Sequence, residues 1–289
     1  MSALVKNFCK LFADDSKLIG VIRNNMEKLV LQDDLDLLVD WSRNWKLSFN
    51  EDKCKLMNIG KTALGATSLS MKSANGCSVE LKETLCERDL GVMPNNKLNW
   101  KDQVDHAVQM AQSTLAMLKR TFVYWDAKMF VLLFTIYVRP HLEYCAAVWN
   151  PSRKREVTRL EQVQRRATKL VPQIRHLNYE SRLANLGLTS LEARRSRGDL
   201  IQYFKFFKGH NLVNWYYGSV TRRDLGIIGP SSGTRGPQHR LVGQFTRNDK
   251  RKQFFTNRIV NEWNKLDNKV VSSETVNGFK NNLDKFCKA

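Results

Sequence analysis

No stretch of the 289-residue chain approaches the roughly 18 consecutive apolar residues that a membrane-spanning helix needs, so no membrane partner is expected. The six cysteines, at 9, 54, 77, 86, 145 and 287, include no CxxC pair and point to a reduced, intracellular protein with unpaired thiols. The five histidines, at 106, 141, 176, 210 and 239, make no ligand spacing such as HxxxH. No internal repeat is visible, which argues against solenoids and propellers. The first ten residues mix Lys6, Asn7 and Lys10 into apolar positions, so no secretory leader is expected, and nucleus or cytoplasm is the expected compartment.

Basic charge is what the chain has in excess: 47 Lys and Arg against 28 Asp and Glu, a formal net charge of +19. It is unevenly placed. Residues 1–95 hold 13 basic and 13 acidic side chains, while residues 96–289 hold 34 and 15. A neutral front joined to a strongly basic back suggests that the back meets a polyanion, nucleic acid first and an anionic membrane surface second. Hydrophobic residues make up 42% of the chain, which excludes wholesale disorder, and the length fits two domains or one domain with an extension.

Along the chain, two short apolar runs flank Ala13-Asp14-Asp15-Ser16 and read as strand, turn, strand. Leu31, Leu35, Leu38, Trp41 and Trp45 then recur at helical spacing, with Asp33, Asp34, Asp36 and Asp40 at the other positions. Short strands are expected at 47–50, 54–59, 78–81 and 90–93. From there the chain turns helical. Val104, Val108, Ala111, Leu115, Leu118 and Phe122 give the cleanest amphipathic repeat, and residues 129–138 read as a buried central helix stopped by Arg139-Pro140. Val157, Leu160, Val163, Ala167 and Leu170 define another helix, whose other faces carry Arg155, Arg159, Arg165, Arg166 and Lys169. Further helices are expected over 191–208, 254–266 and 276–286. Residues 218–243, with six glycines and two prolines, read as a flexible linker.

Asp14 and Asp15 are the one acidic pair set in a tight turn between apolar runs. Adjacent carboxylates on a hairpin can hold Mg²⁺, a hard cation that prefers oxygen ligands, although Asp is also an ordinary turn former. Lys53 beside Cys54 could be read as a nucleophile and its activator, but no His lies nearby in sequence, and a solvated turn lysine is the plainer reading. His141, Glu143 and Cys145 alternate as a metal site would, but packing at a helix junction is the stronger reading. The arginine-rich helix at 153–169, with Arg194 and Arg195 beyond it, suits sequence-independent phosphate binding. Tyr203, Phe204, Phe206 and Phe207 are candidates for base stacking, with burial the favoured reading for Phe204 and Phe207.

Several of these strings carry a resemblance. Phe12-Ala13-Asp14-Asp15 resembles the FADD/YADD box of reverse transcriptases. Leu37 to Asn50, leading into Lys53-Cys54-Lys55, resembles the helix–strand element that follows this box in jockey-like non-LTR retrotransposon (LINE-type) enzymes. Leu90-Gly91-Val92 is similar to the primer-grip hairpin, and Ile136 to Tyr144, Trp149-Asn150-Pro151 and Leu160 to Ala167 resemble the thumb. Trp263-Asn264-Lys265-Leu266 and Phe279-Lys280 resemble the closing segment, with Asp267 standing where the family usually has Pro.

The resemblance implies an α+β fold, a truncated polymerase palm of β hairpins plus a helix, followed by a mainly α-helical thumb and C-terminal extension. The implied divisions are a palm over 1–95, a thumb-like domain over 96–172, a basic helical extension over 173–217, a linker over 218–250 and a closing helical segment over 251–289. It implies a fragment of an RNA-directed DNA polymerase, with Asp14 and Asp15 binding two Mg²⁺ ions in the full-length enzyme. Its partners would be an RNA template and a DNA primer, with no small-molecule cofactor. Lys53, Arg155, Arg159, Arg165, Arg166, Lys169, Arg194 and Arg195 would contact nucleic acid. The box begins at residue 12, which leaves no room before it for fingers or for the further palm Asp. The competing expectation is therefore a catalytically inactive nucleic-acid-binding remnant. A nuclease built on Asp14-Asp15 lacks a third acid at useful spacing.

Overall fold

A computed structural model describes residues 4–60, 67–73, 76–213, 220–221 and 239–287. The chain divides into two compact units, residues 1–99 and 100–289. The fold is mixed α+β, and the strands described form two-stranded sheets only.

In the first unit, β1 (Phe8–Phe12) and β2 (Asp15–Ile19) form an antiparallel hairpin that pairs Phe8 with Ile19 and Phe12 with Asp15. Ala13 and Asp14 make its two-residue turn. Ala13 adopts a left-handed φ of 51°, which hairpin turns of this length require at their first central residue. Helix α1 (Asn25–Asn44) starts where Asn24 accepts a hydrogen bond from the Glu27 amide at 2.9 Å. Its Leu31, Leu38 and Val39 are buried, as the periodicity requires.

One of its acids departs from the expected solvent face. Asp34 is only 1% exposed, and its carboxylate accepts from the Lys6 and Asn7 amides at 2.9 and 2.7 Å, tying the run into β1 onto α1. Gln32 completes the attachment on another side by exchanging two hydrogen bonds with the Ser70 backbone, at 2.7 and 3.0 Å. Ser70 opens β4 (Ser70–Lys72), which pairs antiparallel with β5 (Ser78–Glu80), while β3 (Lys55–Leu56) pairs parallel with β6 (Lys82–Glu83).

Residues 47–50 form no strand, and 54–59 supply only the two residues of β3. The strand expected at 90–93 is instead a tight turn. Leu90 and Gly91 both have left-handed φ, at 47° and 81°, and the Asp89 amide donates to the Val92 carbonyl at 2.7 Å. The turn closes a small hairpin whose arms are joined only by isolated antiparallel bridges, Asp89 with Val92 and Cys86 with Asn95, so no continuous strand forms.

The second unit is helical: α2 (Lys101–Thr121), α3 (Ala127–Leu133), α4 (Arg139–Glu143), α5 (Ala146–Trp149), α6 (Lys154–Ala167), α7 (Tyr179–Leu186), α8 (Leu191–Phe207), α9 (Asp249–Lys252), α10 (Phe255–Asn264), α11 (Asn268–Val271) and α12 (Val276–Phe286). Between α3 and α4 lies a π-helical turn, Phe134–Val138. The expected stop at Arg139-Pro140 does not occur, because the wider turn lets the Arg139 amide donate to the Phe134 carbonyl five residues back. Proline then falls in the first turn of α4, where its missing N–H leaves no helical bond unmade. The segment is also not buried all round, since Leu132, Ile136 and Tyr137 face outward.

The closing segment shares a core with α8. Tyr203 and Phe204 pack with Phe255, Ile259, Trp263, Phe279 and Leu283, and Phe204 stacks on Phe279 at 4.2 Å between centroids. Residues expected to be linker join this core as well. β8 (Leu241–Val242) pairs with β7 (Val220–Thr221), and Leu241 is buried against α10 because Asn264 exchanges hydrogen bonds with its backbone at 2.8 and 2.9 Å. Most of the glycine-rich stretch, residues 222–238, lies outside the described residues.

Candidate nucleic-acid interface

Helix α6 displays the charge. Leu160, Val163 and Ala167 are buried, which fixes its inner face. Arg155, Arg159, Arg166 and Lys169 are separated by 4, 7 and 3 residues. At about 100° per residue they fall on one outer stripe. Arg155, Arg166 and Lys169 are exposed, Lys169 in the short 3₁₀ turn that continues the helix.

Arg159 is half-buried and differs from its neighbours, since it donates to Asp105 on α2. Arg165 lies on the shoulder of the stripe, its guanidinium 4.2 Å from the Tyr179 ring centre and 3.7 Å from Glu180. Tyr179 in turn donates to Glu161, and Gln164 donates to the Tyr179 hydroxyl at 2.9 Å. Burial first, then the bond to Glu161, pushes the Tyr179 phenol far above its ordinary value. The stripe therefore stands on a rigid polar support.

Arg194 and Arg195 do not extend this surface. Arg194 is a clamp on Glu143, with its Nη2 3.0 Å from the carboxylate. Arg195 is 4% exposed, donates to the Leu142 carbonyl at 2.6 Å and lies 5.0 Å from the Trp149 ring centre. Burial lowers its pKa to about 10, which still leaves it charged at neutral pH. Helix α8 is covered on opposite sides: Leu191 and Arg195 share a face, with Arg195 against Leu142 and Trp149, while Leu200 and Phe204 face the core shared with the closing segment. The α8 aromatics are no stacking platform either: Tyr203 and Phe204 are buried, and Phe206 and Phe207 are half-buried against the core.

His141, Glu143 and Cys145 do not converge on a common point. The His141 ring meets the Thr114 hydroxyl at 3.2 Å, Glu143 takes Arg194, and Cys145 is exposed at a left-handed φ of 52°.

In the first unit, Asp14 and Asp15 are exposed at the hairpin tip. Lys17, two residues further along β2, forms an ion pair with Asp89 at the head of the 89–92 turn, bringing the two hairpin-like motifs side by side. Mg²⁺ is commonly held by one or two carboxylates, with water and substrate phosphates completing its shell, and Asp14 and Asp15 offer one such pair. Among the described residues, no group of three or more His, Cys, Asp or Glu gathers at Asp14 and Asp15 or elsewhere. Asp14 and Asp15 therefore stand as a pair of exposed carboxylates with no third acid gathered beside them among the described residues.

Lys53 is exposed in a turn whose amide donates to the Asn50 carbonyl at 3.1 Å. Burial, reinforced by Glu51, raises the Cys54 thiol above its ordinary pKa, which disfavours the thiolate that a nucleophile requires.

Sequence reasoning did not single out Asp105, Asp199 or Arg258. Arg258 donates from Nε and Nη2 to both oxygens of Asp199 at 2.9 Å, with both side chains largely buried. Their separation of 59 residues left no local signal.

An uncharacterized protein of Caenorhabditis elegans is 26% identical to this chain over 132 residues, 45% of the chain. The match spans 64% of that relative's length, somewhat under two thirds. No protein-family model matches the chain, and no solved structure matches it. No helix among the described residues is long and apolar enough to cross a membrane.

Proposed function

We propose that the chain is a nucleic-acid-binding protein of jockey-like reverse-transcriptase descent, which grips duplexes through α6 and does not polymerise on its own. The observation that carries the binding is the outer stripe of α6, where Arg155, Arg166 and Lys169 are exposed on a helix whose other face is fixed in the core. Lysine and arginine on such a stripe replace counterions along a phosphate backbone without reading bases, so affinity is broad in sequence and steep in salt. Descent rests on the Phe12–Asp15 and Leu90–Val92 strings and on the spaced thumb-like motifs. An RNA template paired to a DNA primer is the partner this lineage suggests.

Catalytic silence is the expectation because Asp14 and Asp15 have no third acid gathered beside them among the described residues. The test is a triple charge reversal. Arg155→Glu, Arg166→Glu and Lys169→Glu together should abolish binding to RNA, DNA and hybrid duplexes alike, while leaving the circular dichroism spectrum and melting temperature near wild type. Undiminished binding by a folded triple variant would remove α6 as the interface.

A further inference from the structure

One large aromatic side chain is held out of the core among basic residues, in a segment to which nothing above assigns a role. Phe245 is 90% exposed. Leaving a phenylalanine in water forgoes the free energy of burying it, yet the backbone on either side is firmly attached. Upstream, Leu241 is buried and its backbone is held by Asn264. Next to the ring, the Gln244 amide donates to Asn257 at 3.3 Å, and the Gln244 side chain accepts from Arg251 at 2.6 Å. Downstream, Asn248 caps α9 by accepting from the Lys250 amide at 3.0 Å. The loop therefore presents the ring on a fixed support.

Arg247, Lys250 and Lys252 follow it within seven residues of chain, all exposed, and among the described residues none of the three forms an ion pair. Phe254 adds a second, half-exposed ring under Arg251, at 5.1 Å.

An exposed ring flanked by cations is the chemistry of a single-stranded nucleic acid site, where a base stacks on the aromatic face and its phosphates meet the cations. We infer that the segment from Leu241 to Phe254 binds single-stranded RNA or DNA, with Phe245 as the stacking platform and Arg247, Lys250 and Lys252 as phosphate contacts. The inference rests on the nucleic-acid reading of α6 and adds to it a second site for the unpaired strand. Charge complementarity selects the partner: between residues 240 and 254 five basic side chains face one acid, Asp249. An anionic membrane would ask for an amphipathic helix with an apolar face, whereas α9 is a single turn whose four residues are all charged.

The test uses the full chain and a short fluorescein-labelled oligothymidylate, read by anisotropy, beside a duplex of mixed sequence. Phe245→Ala should weaken oligothymidylate binding about tenfold and leave duplex binding within about twofold. Phe245→Trp should restore affinity, with its indole fluorescence quenched on binding. Because the ring is exposed, neither change threatens the fold. Equal oligothymidylate binding by wild type and Phe245→Ala, with duplex binding intact, would overturn this inference and leave the α6 reading standing. Failure of the wild-type chain to bind either probe would overturn both. Binding to phosphatidylserine vesicles that Phe245→Ala abolishes, with oligothymidylate binding unaffected, would overturn it in favour of a membrane surface.

Discussion

The guanidinium of Arg159, in the middle of the basic stripe of α6, donates to the carboxylate of Asp105 on α2, and Lys101 donates to the other oxygen at 2.8 Å. The central cation of the stripe is thus engaged within the protein, and the flanking Arg155, Arg166 and Lys169 carry the exposed charge. Burial pushes the Asp105 carboxyl up, but the Lys101 hydrogen bond and the Arg159 charge outweigh it and hold the group below its ordinary value.

Asp105→Asn should release Arg159 toward solvent. Duplex affinity should rise a few-fold, and the log–log salt slope should steepen by about 0.9, one additional phosphate contact. Anisotropy titrations at several salt concentrations measure this, and an unchanged slope would mean that Arg159 stays docked. Since the folded-state pKa of Asp105 is lowered, its contribution to stability is present above its unfolded value and lost as pH falls through the folded one. The melting temperatures of wild type and Asp105→Asn should therefore converge in that acid range.

Asp199→Ala should be far more damaging than any change on the stripe. It leaves the Arg258 guanidinium, otherwise held at 2.9 Å by both carboxylate oxygens, without its counter-charge in a largely buried position. The expected cost is about 3–5 kcal/mol, a fall in melting temperature on the order of 10 °C for a unit of this size. Arg166→Ala, on an exposed side chain, should shift it by no more than about 1 °C. Replacing both partners, Asp199→Leu with Arg258→Met, should be better tolerated than Asp199→Ala alone.

Ala13→Gly should steady the first hairpin. The left-handed backbone at Ala13 costs an L residue about 1–2 kcal/mol, of which glycine's greater unfolded freedom returns about 0.5–1 kcal/mol. Amide hydrogen exchange over residues 8–19 should slow several-fold. Faster exchange in the glycine variant would mean that this turn does not populate the left-handed state.

The full chain should not extend a primer on an RNA template with Mg²⁺ or Mn²⁺, because Asp14 and Asp15 have no third acidic partner among the described residues. Extension by wild type that disappears in Asp14→Ala would reverse the view of the chain as catalytically silent.

Legibility in the sequence followed the range of the forces involved. The 4-3-7 spacing of Val104, Val108, Ala111 and Leu118 marks the buried face of α2, and α12 spans the residues that its apolar pattern indicates. Both depend on side chains within a few turns. Asp34 looked like a solvent-face acid because its partners, the Lys6 and Asn7 amides, lie 28 and 27 residues away. Arg195 looked like a phosphate contact for the same reason, its acceptor at Leu142 being 53 residues distant. Charge is legible in a sequence, but whether a charge faces water or a buried carbonyl is decided by the packing of the apolar residues around it. The continuation through Pro140 depended on a backbone register shift that no composition encodes.

The central claim is that α6 grips phosphates. The measurement that tests it most directly is the dissociation constant of the full chain for a mixed-sequence DNA duplex across a series of salt concentrations. The account predicts a straight log–log plot with a slope near −3, about −0.9 for each of the three exposed cations on the stripe, flattening toward zero in the Arg155→Glu, Arg166→Glu, Lys169→Glu variant. A wild-type slope indistinguishable from zero, or the same slope in the triple variant, would contradict it.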